Sequence, residues 1–227
     1  MSGLYIVGTG TNVGKTLVTR GLARASARAG HPVAAVKPIE TGSNPDPLDA
    51  LALATACGHL ELAHAAGFYR AKQPLAPLAA TLGGEKPPPS LGELVRSVRA
   101  ATAAFHVKLV EAAGGLLSPI DSANSMLELG IALGLPFALV ARDELGALSA
   151  VRTAHLCAKA AGVTVRSVIL THEREPFAFN AQILREHIGA ESSVISFRID
   201  TQGSPSTDDQ LADEVLRLGL NQTLLGL

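Results

Sequence analysis

Cysteine is scarce in this chain: Cys57 and Cys157 are the only two among 227 residues. They lack the spacing of a metal knuckle or a C-x-x-C redox pair, which argues against a disulfide scaffold. Both read as ordinary buried thiols. A charge excess of either sign is also lacking, with 19 Lys and Arg against 20 Asp and Glu for a formal net charge of −1. Such a balance gives no bulk attraction to nucleic acid or to an acidic membrane surface. No apolar run approaches the ~20 residues that cross a bilayer. The amino terminus has no basic segment, apolar stretch and cleavage site of the secretory kind, so a cytoplasmic protein with no nucleic-acid or membrane partner is expected. What is plentiful is apolar: 47% of the residues are hydrophobic. That is enough to close one sizeable core, and a single domain over 1–227 is expected.

Three segments share one grammar: AGHPVAAVKP (29–38), LGLPFALVAR (133–142) and AGVTVRSVIL (161–170). Each places a glycine where a helix would end, then a short gap, then a run rich in Val, Ile, Leu and Ala. Glycine suits a left-handed helix cap. The apolar run suits a strand buried on both faces. With 4–7, 107–110 and 194–197, about six strands are expected. Helices are expected between them over 16–28, 48–57, 91–104, 125–133, 147–160, 177–187 and 208–218. This alternation predicts an α/β fold of three layers, a mostly parallel sheet with helices on both faces. Segments 83–89 (GGEKPPP) and 201–206 (TQGSPS) read as surface loops rather than domain boundaries.

The richest motif is G-T-G-T-N-V-G-K-T over 8–16. A strict phosphate loop, G-x-x-x-x-G-K-[ST], puts four residues between its glycines. Here Gly8 precedes Gly14 with five between, and Gly10 with three. The motif is therefore a variant, supported by its setting of apolar strand, glycine-rich turn and helix. Backbone N–H groups over Gly10, Thr11, Asn12, Val13 and Gly14 can curl around a polyphosphate, and the helix start adds partial positive charge. Lys15 can reach the β- and γ-phosphates, and the Thr16 hydroxyl can ligate Mg²⁺.

Three further stretches could carry chemistry, two of them at strand exits, where open parallel sheets bind ligands. KPIETG (37–42) places Lys37 at the end of the second strand. A lone lysine there is usually solvated, but one beside a phosphate loop faces the ligand. Asp49, at the start of DALAL, suits a helix cap or a metal ligand. Glu111, in KLVEAAGGLLSPID, ends an apolar run, and a buried carboxylate there demands a cation or donors. The seven histidines are scattered. His59 and His64 are five apart, which is wrong for two ligands on one helix face, and only His172 falls near a plausible base pocket.

Together these stretches resemble the dethiobiotin synthetases, in order and at similar separations over roughly 3–170. The family loop G-T-x-T-x-V-G-K-T matches 8–16, K-P-x-x-[TS]-G matches 37–42, and the blocks at Asp49 and Glu111 follow. The resemblance implies ATP as co-substrate, Mg²⁺, and 7,8-diaminopelargonate with CO₂ or bicarbonate as the other substrates. It implies that Lys15 and Lys37 flank the reacting phosphate and carbamate. Thr16, Asp49 and Glu111 would hold Mg²⁺, and Thr11 and Thr41 would contact the substrate. Leu145, Gly146 and Ser149 would belong to a segment reaching the substrate of a partner subunit in a homodimer. Thr171 stands at the strand end from which the family reads the base.

The sequence departs from the family at several points. Gly10 replaces a common Asp, Asn12 a frequent Glu, Ala112 a Gly where backbone would approach the ligand, and Ser149 an Asn. At 170–172, LTH lacks the base-reading Asn, which implies a weaker preference for ATP. Two other readings share the phosphate loop: a switch or partitioning ATPase, and a nucleotide-binding homologue without turnover. The first usually carries an additional early lysine that is missing here, and it gives KPIETG no task.

Overall fold

The computed structural model describes residues 2–200 and 206–227. The loop expected over 201–206 falls, apart from Ser206, outside them. In chain order the elements are β1 (Ser2–Gly8), α1 (Lys15–Arg28), β2 (Val33–Val36), β3 (Ile39–Thr41), α2 (Leu48–Cys57), a 3₁₀ turn (Leu60–His64), β4 (Tyr69–Ala71), α3 (Pro77–Leu82), α4 (Leu91–Ala101), β5 (Val107–Gly115), α5 (Met126–Leu133), β6 (Phe137–Arg142), α6 (Ala147–Ala160), β7 (Val165–His172), α7 (Asn180–Ile188), β8 (Ser193–Arg198), α8 (Asp208–Arg217) and a closing π turn (Asn221–Leu225).

Six strands form one parallel sheet in the order β2-β5-β1-β6-β7-β8. All the strands expected from apolar runs are in it. Their continuous hydrophobicity follows from helices covering both faces, so no side of the central strands is left for polar residues. The core runs along Leu4–Val7, Val33–Val36, Leu109, Val110 and Phe137–Ala141, all of them buried. Tyr5 stacks at 5.0 Å from Phe137, and its hydroxyl donates to Met126 O at 2.9 Å, so its polar tip is satisfied inside the core.

The strand order decides where the chemistry lies. β1 and β2 both pair with β5, in the registers Tyr5↔Val110 and Val36↔Val110. Lys37 follows Val36 by one step and so reaches the level of Glu111. The carboxyl ends of β2, β5 and β1 thus set Lys37, Glu111 and the 9–14 loop side by side.

Several boundaries differ from expectation for local reasons. Glu111 does not end its strand, because β5 continues to Gly115. Its register against β1 slips between Ile6 and Gly8, where residues 112–114 stand unpaired against Val7, as at a bulge. Helix α7 begins at Asn180 rather than 177, since Phe179 holds a left-handed φ of 66°. A small second sheet of β3 and β4, and α3, escaped the sequence reading; three-residue strands carry too little periodicity to register.

Candidate active site

β1 delivers the chain into the loop at Gly8, where an added Cβ would lie 2.8 Å from Gly10 O, 2.9 Å from Val13 Cγ2 and 3.0 Å from Lys15 Nζ. Only glycine leaves room for that close return. The loop then turns through Asn12 at φ 57° and Gly14 at φ 90°, left-handed values that asparagine and glycine tolerate best. Helix α1 starts there with no side chain capping its first turn, so its free N–H groups form an anion site.

Lys15 is buried, and its Nζ donates to Gly10 O at 2.8 Å. Desolvation pulls its ammonium down to about 8, with nearby Glu111 opposing the shift. Lys37 is buried as well. Its Nζ donates to Asp49 Oδ2 and, at 2.9 Å, to Glu111 Oε1. Burial alone would lower the Lys37 ammonium, but Glu111 and Asp49 outweigh it, and the group titrates above the ordinary lysine range. Lys37 is therefore a fixed cation. The Thr16 hydroxyl donates to the same Glu111 Oε1 at 2.8 Å. Glu111 Oε2 is buried and makes no hydrogen bond.

Glu111, Asp49 and the Thr16 hydroxyl are hard oxygen donors, joined in one network by Lys37 Nζ and Glu111 Oε1. This set suits Mg²⁺, which keeps few protein ligands and fills its sphere with phosphate oxygens and water. The orphaned Oε2 of Glu111 is the observation that fits such a cation, because a buried unpartnered carboxylate oxygen is otherwise costly. Among the described residues no three His, Cys, Asp or Glu side chains converge on one point.

Two cavities meet here. One, of about 470 Å³, runs from the loop along α1 and is lined by Gly14, Lys15, Thr16, Leu17, Arg20, Arg142 and Ile199 among others. The second, of about 450 Å³, is lined by Thr41, Gly42, 74–77, Ala113 and Ser118. Thr11, Asn12, Lys37, Asp49 and Gly114 line both. They form a wall common to both chambers.

Some expected residues stand elsewhere. Thr171 is buried beneath the loop, where its hydroxyl donates to Val13 O at 2.8 Å. A Cβ on Gly14 would meet its Cγ2 at 2.9 Å. It therefore props the loop from behind rather than facing a base. Gly10 and Val13 contribute through their carbonyls, to Lys15 and Thr171 respectively. The methyl of Ala112 is in the core, and the bulge instead turns Ala113 and Gly114 to the second cavity. Leu145, Gly146 and Ser149, at the start of α6, are exposed and line neither chamber. His172 faces the carbonyl of Arg174 at 2.6 Å.

Other contributors gave no sequence signal. Arg20 is anchored by Asp208 at 2.7 Å and Arg142 by Glu173; both line the cavity along α1. Glu40 is buried in β3, and its carboxylate accepts from Asp49 N and Ala50 N, each at 2.9 Å. Burial pushes the Glu40 carboxyl up, against those helix amides. The one available clue was Pro47 ahead of α2, which has no side chain able to cap the helix.

A protein-family model described as an AAA domain matches residues 2–196. An ATP-dependent dethiobiotin synthetase BioD of Anaeromyxobacter sp. (strain Fw109-5) is 37% identical over 177 residues, 77% of this chain and 78% of that protein. Its counterpart in Caulobacter sp. (strain K31) is 37% identical, covering 75% and 76%. Among solved structures, a MinC:MinD cell division complex of Aquifex aeolicus matches with a TM-score of 0.52 at 12% identity, over 94% of this chain and 86% of that one. Chloroplast FtsY of Physcomitrella patens matches with a TM-score of 0.51 at 19% identity, over 94% of this chain and 65% of its own. At such identities these two likenesses establish the fold alone, a mostly parallel sheet covered by helices.

Proposed function

Since this chain belongs to the ATP-dependent dethiobiotin synthetase family, we propose a division of labour for its residues in that reaction. The protein is an ATP-dependent ligase of biotin biosynthesis. In our reading, the chamber along α1 takes ATP and the chamber at Thr41 takes 7,8-diaminopelargonate. One amine of the diamine adds to CO₂ and loses a proton, giving a carbamate. A carbamate oxygen then attacks the γ-phosphorus, and ADP leaves with the electron pair of the broken P–O bond. The second amine attacks the carbonyl carbon of the mixed anhydride, phosphate departs with the C–O electrons, and the ureido ring closes.

The wall common to both chambers is the observation that carries this reading. Lys37 stands in it, and its raised affinity for a proton keeps it cationic where the carbamate and the γ-phosphoryl would meet. Lys15 approaches the same phosphoryl from the loop. Phosphoryl transfer needs positioned positive charge more than a nucleophile, and the site offers two ammonium groups and no nucleophilic pair. When bound, Mg²⁺ would neutralise triphosphate charge from Thr16, Asp49 and Glu111. Lys37 already occupies Asp49 and Glu111, so we read its ammonium as relinquishing part of that contact to reach the carbamate. Thr11 and Thr41 would hydrogen-bond the substrate, and backbone amides over 10–14 the phosphates.

We further propose one domain, supported by the apolar core continuous from Leu4 to Leu225, and a homodimer. Support for the homodimer comes from exposed Leu117 (58%), Leu145 (87%) and Leu156 (60%); Leu117 also lines a hollow between the loop and α6. In that assembly Leu145, Gly146 and Ser149 would face the partner's substrate. No described helix is long and apolar enough to cross a membrane, and a cytoplasmic location goes with this reading. A switch ATPase is disfavoured because it leaves the second chamber without a task.

The test mixes protein, Mg-ATP, bicarbonate and diaminopelargonate, and follows phosphate release together with dethiobiotin by mass spectrometry. Phosphate release that depends on the diamine, with stoichiometric product, supports the reading. ATP hydrolysis indifferent to the diamine contradicts it.

A further inference from the structure

We propose that Glu40 is a positioning residue for Asp49: capping α2 from a different strand, it fixes where that carboxylate meets Lys37 and the metal. The inference rests on the reading of Asp49 as a Mg²⁺-facing group.

A helix start ordinarily takes its cap from the residue just before it, usually Ser, Thr, Asp or Asn. Helix α2 has Pro47 there and no local side-chain cap. Instead Glu40, seven residues earlier than Pro47 and in β3, brings both carboxylate oxygens to the first turn. Oε1 accepts from Asp49 N and Oε2 from Ala50 N, both at 2.9 Å. Glu40 is 5% exposed. Burying a charged carboxylate to do what an exposed serine does is an expensive way to stabilise a helix. The expense makes sense if position, rather than helix stability, is what the contact sets.

The geometry supports that purpose. Asp49 is held twice from one short segment: its side chain accepts from Lys37 and its backbone donates to Glu40, three residues later. The Asp49 side chain is 45% exposed, so packing alone does not hold it. The segment is itself fixed. Arg70 Nη1 donates to Lys37 O at 3.0 Å and Nη2 to Ala63 O at 2.9 Å, and β3 pairs with β4 through Glu40↔Arg70. Lys37, Glu40 and Asp49 thereby form one unit whose internal distances are set by β3.

The experiment titrates Mn²⁺ into full-length protein with a non-hydrolysable ATP analogue, read by electron paramagnetic resonance, for wild type, Glu40→Ala, Glu40→Gln and Asp49→Asn. Nucleotide binding in EDTA and the melting temperature are measured in parallel. Outer residues that orient metal ligands typically change metal affinity by 10- to 100-fold when removed. Glu40→Ala is therefore expected to weaken Mn²⁺ binding about tenfold, with metal-free nucleotide binding within about twofold of wild type. Glu40→Gln keeps one acceptor oxygen and should lose about threefold. Glu40→Ala with wild-type Mn²⁺ affinity beside a weakened Asp49→Asn overturns the inference alone. Wild-type affinity in Asp49→Asn overturns both the inference and the reading beneath it. Loss of Mn²⁺ and metal-free nucleotide binding in equal proportion also overturns it, as the mark of general disruption. If Glu40→Ala unfolds in the assay range, Glu40→Gln decides: weaker metal binding supports the proposal and unchanged binding overturns it.

Discussion

Two buried lysines in the same site behave in opposite ways. Lys37 has two carboxylates and stays charged; Lys15 has a carbonyl oxygen and a more distant carboxylate, and burial brings it to about 8. A triphosphate beside Lys15 favours its charged form and raises that value again. Binding should then draw a proton from solvent, little at about pH 7.5 and more as pH rises through about 8. Calorimetry of metal-free ATP binding in two buffers of different ionisation enthalpy should show greater uptake at about pH 8.5 than at about pH 7.5, with weaker affinity at the higher pH. Equal uptake at both would mean that Lys15 is already an ordinary charged lysine. Replacing Lys37 by Ala should lower ring closure at least ~100-fold, while ATP affinity stays within about threefold; an unimpaired rate would remove Lys37 from the chemistry. Both lysines were legible in the sequence because each sits in a motif whose residue types have a chemical reason. Glu40 was not, because a carboxylate that caps a helix from another strand leaves no mark near that helix.

At the level of elements, apolar runs and glycine caps reported the large sheet well, since strands buried on both faces have no choice but to be hydrophobic. They said nothing of β3 and β4, whose few residues are held by Arg70 and by neighbours distant in sequence. The sequence suggested that Thr171 contacts nucleotide; in the fold it is buried under the phosphate loop and does not line the cavity along α1. Thr171→Val keeps the shape and removes the hydroxyl that donates to Val13 O. It should cost about 1 kcal/mol of stability and weaken triphosphate binding severalfold, with ATP and GTP affected alike. A change in the ratio of ATP to GTP affinity would return Thr171 to base recognition. Helix α1 is braced on its outer side by α8, where Arg20, Arg24 and Arg28 pair with Asp208, Asp209 and Asp213. The spacing of four along α1 puts those arginines on one face. The two outer pairs are exposed and contribute little, whereas Arg20 also walls the nucleotide chamber.

For the whole molecule, the strand order is what turns separate motifs into one site, since β5 between β1 and β2 gathers Lys37 and Glu111 beside the loop. Leu145 lies beyond that gathering and is nearly naked. If the proposed homodimer forms through this surface, Leu145→Asp should shift it to monomer in sedimentation and raise the KM for the diamine, leaving ATP binding unchanged. A variant that stays dimeric with an unchanged KM would separate α6 from both assembly and substrate. The central claim is transfer of the γ-phosphoryl to a carbamate oxygen across the wall shared by the two chambers. It is tested most directly by running the reaction with oxygen-18-labelled CO₂ in unlabelled water and analysing the phosphate by mass spectrometry. The predicted result is one labelled oxygen in the released phosphate and label retained in the dethiobiotin carbonyl. Phosphate without label, formed alongside dethiobiotin, would contradict it.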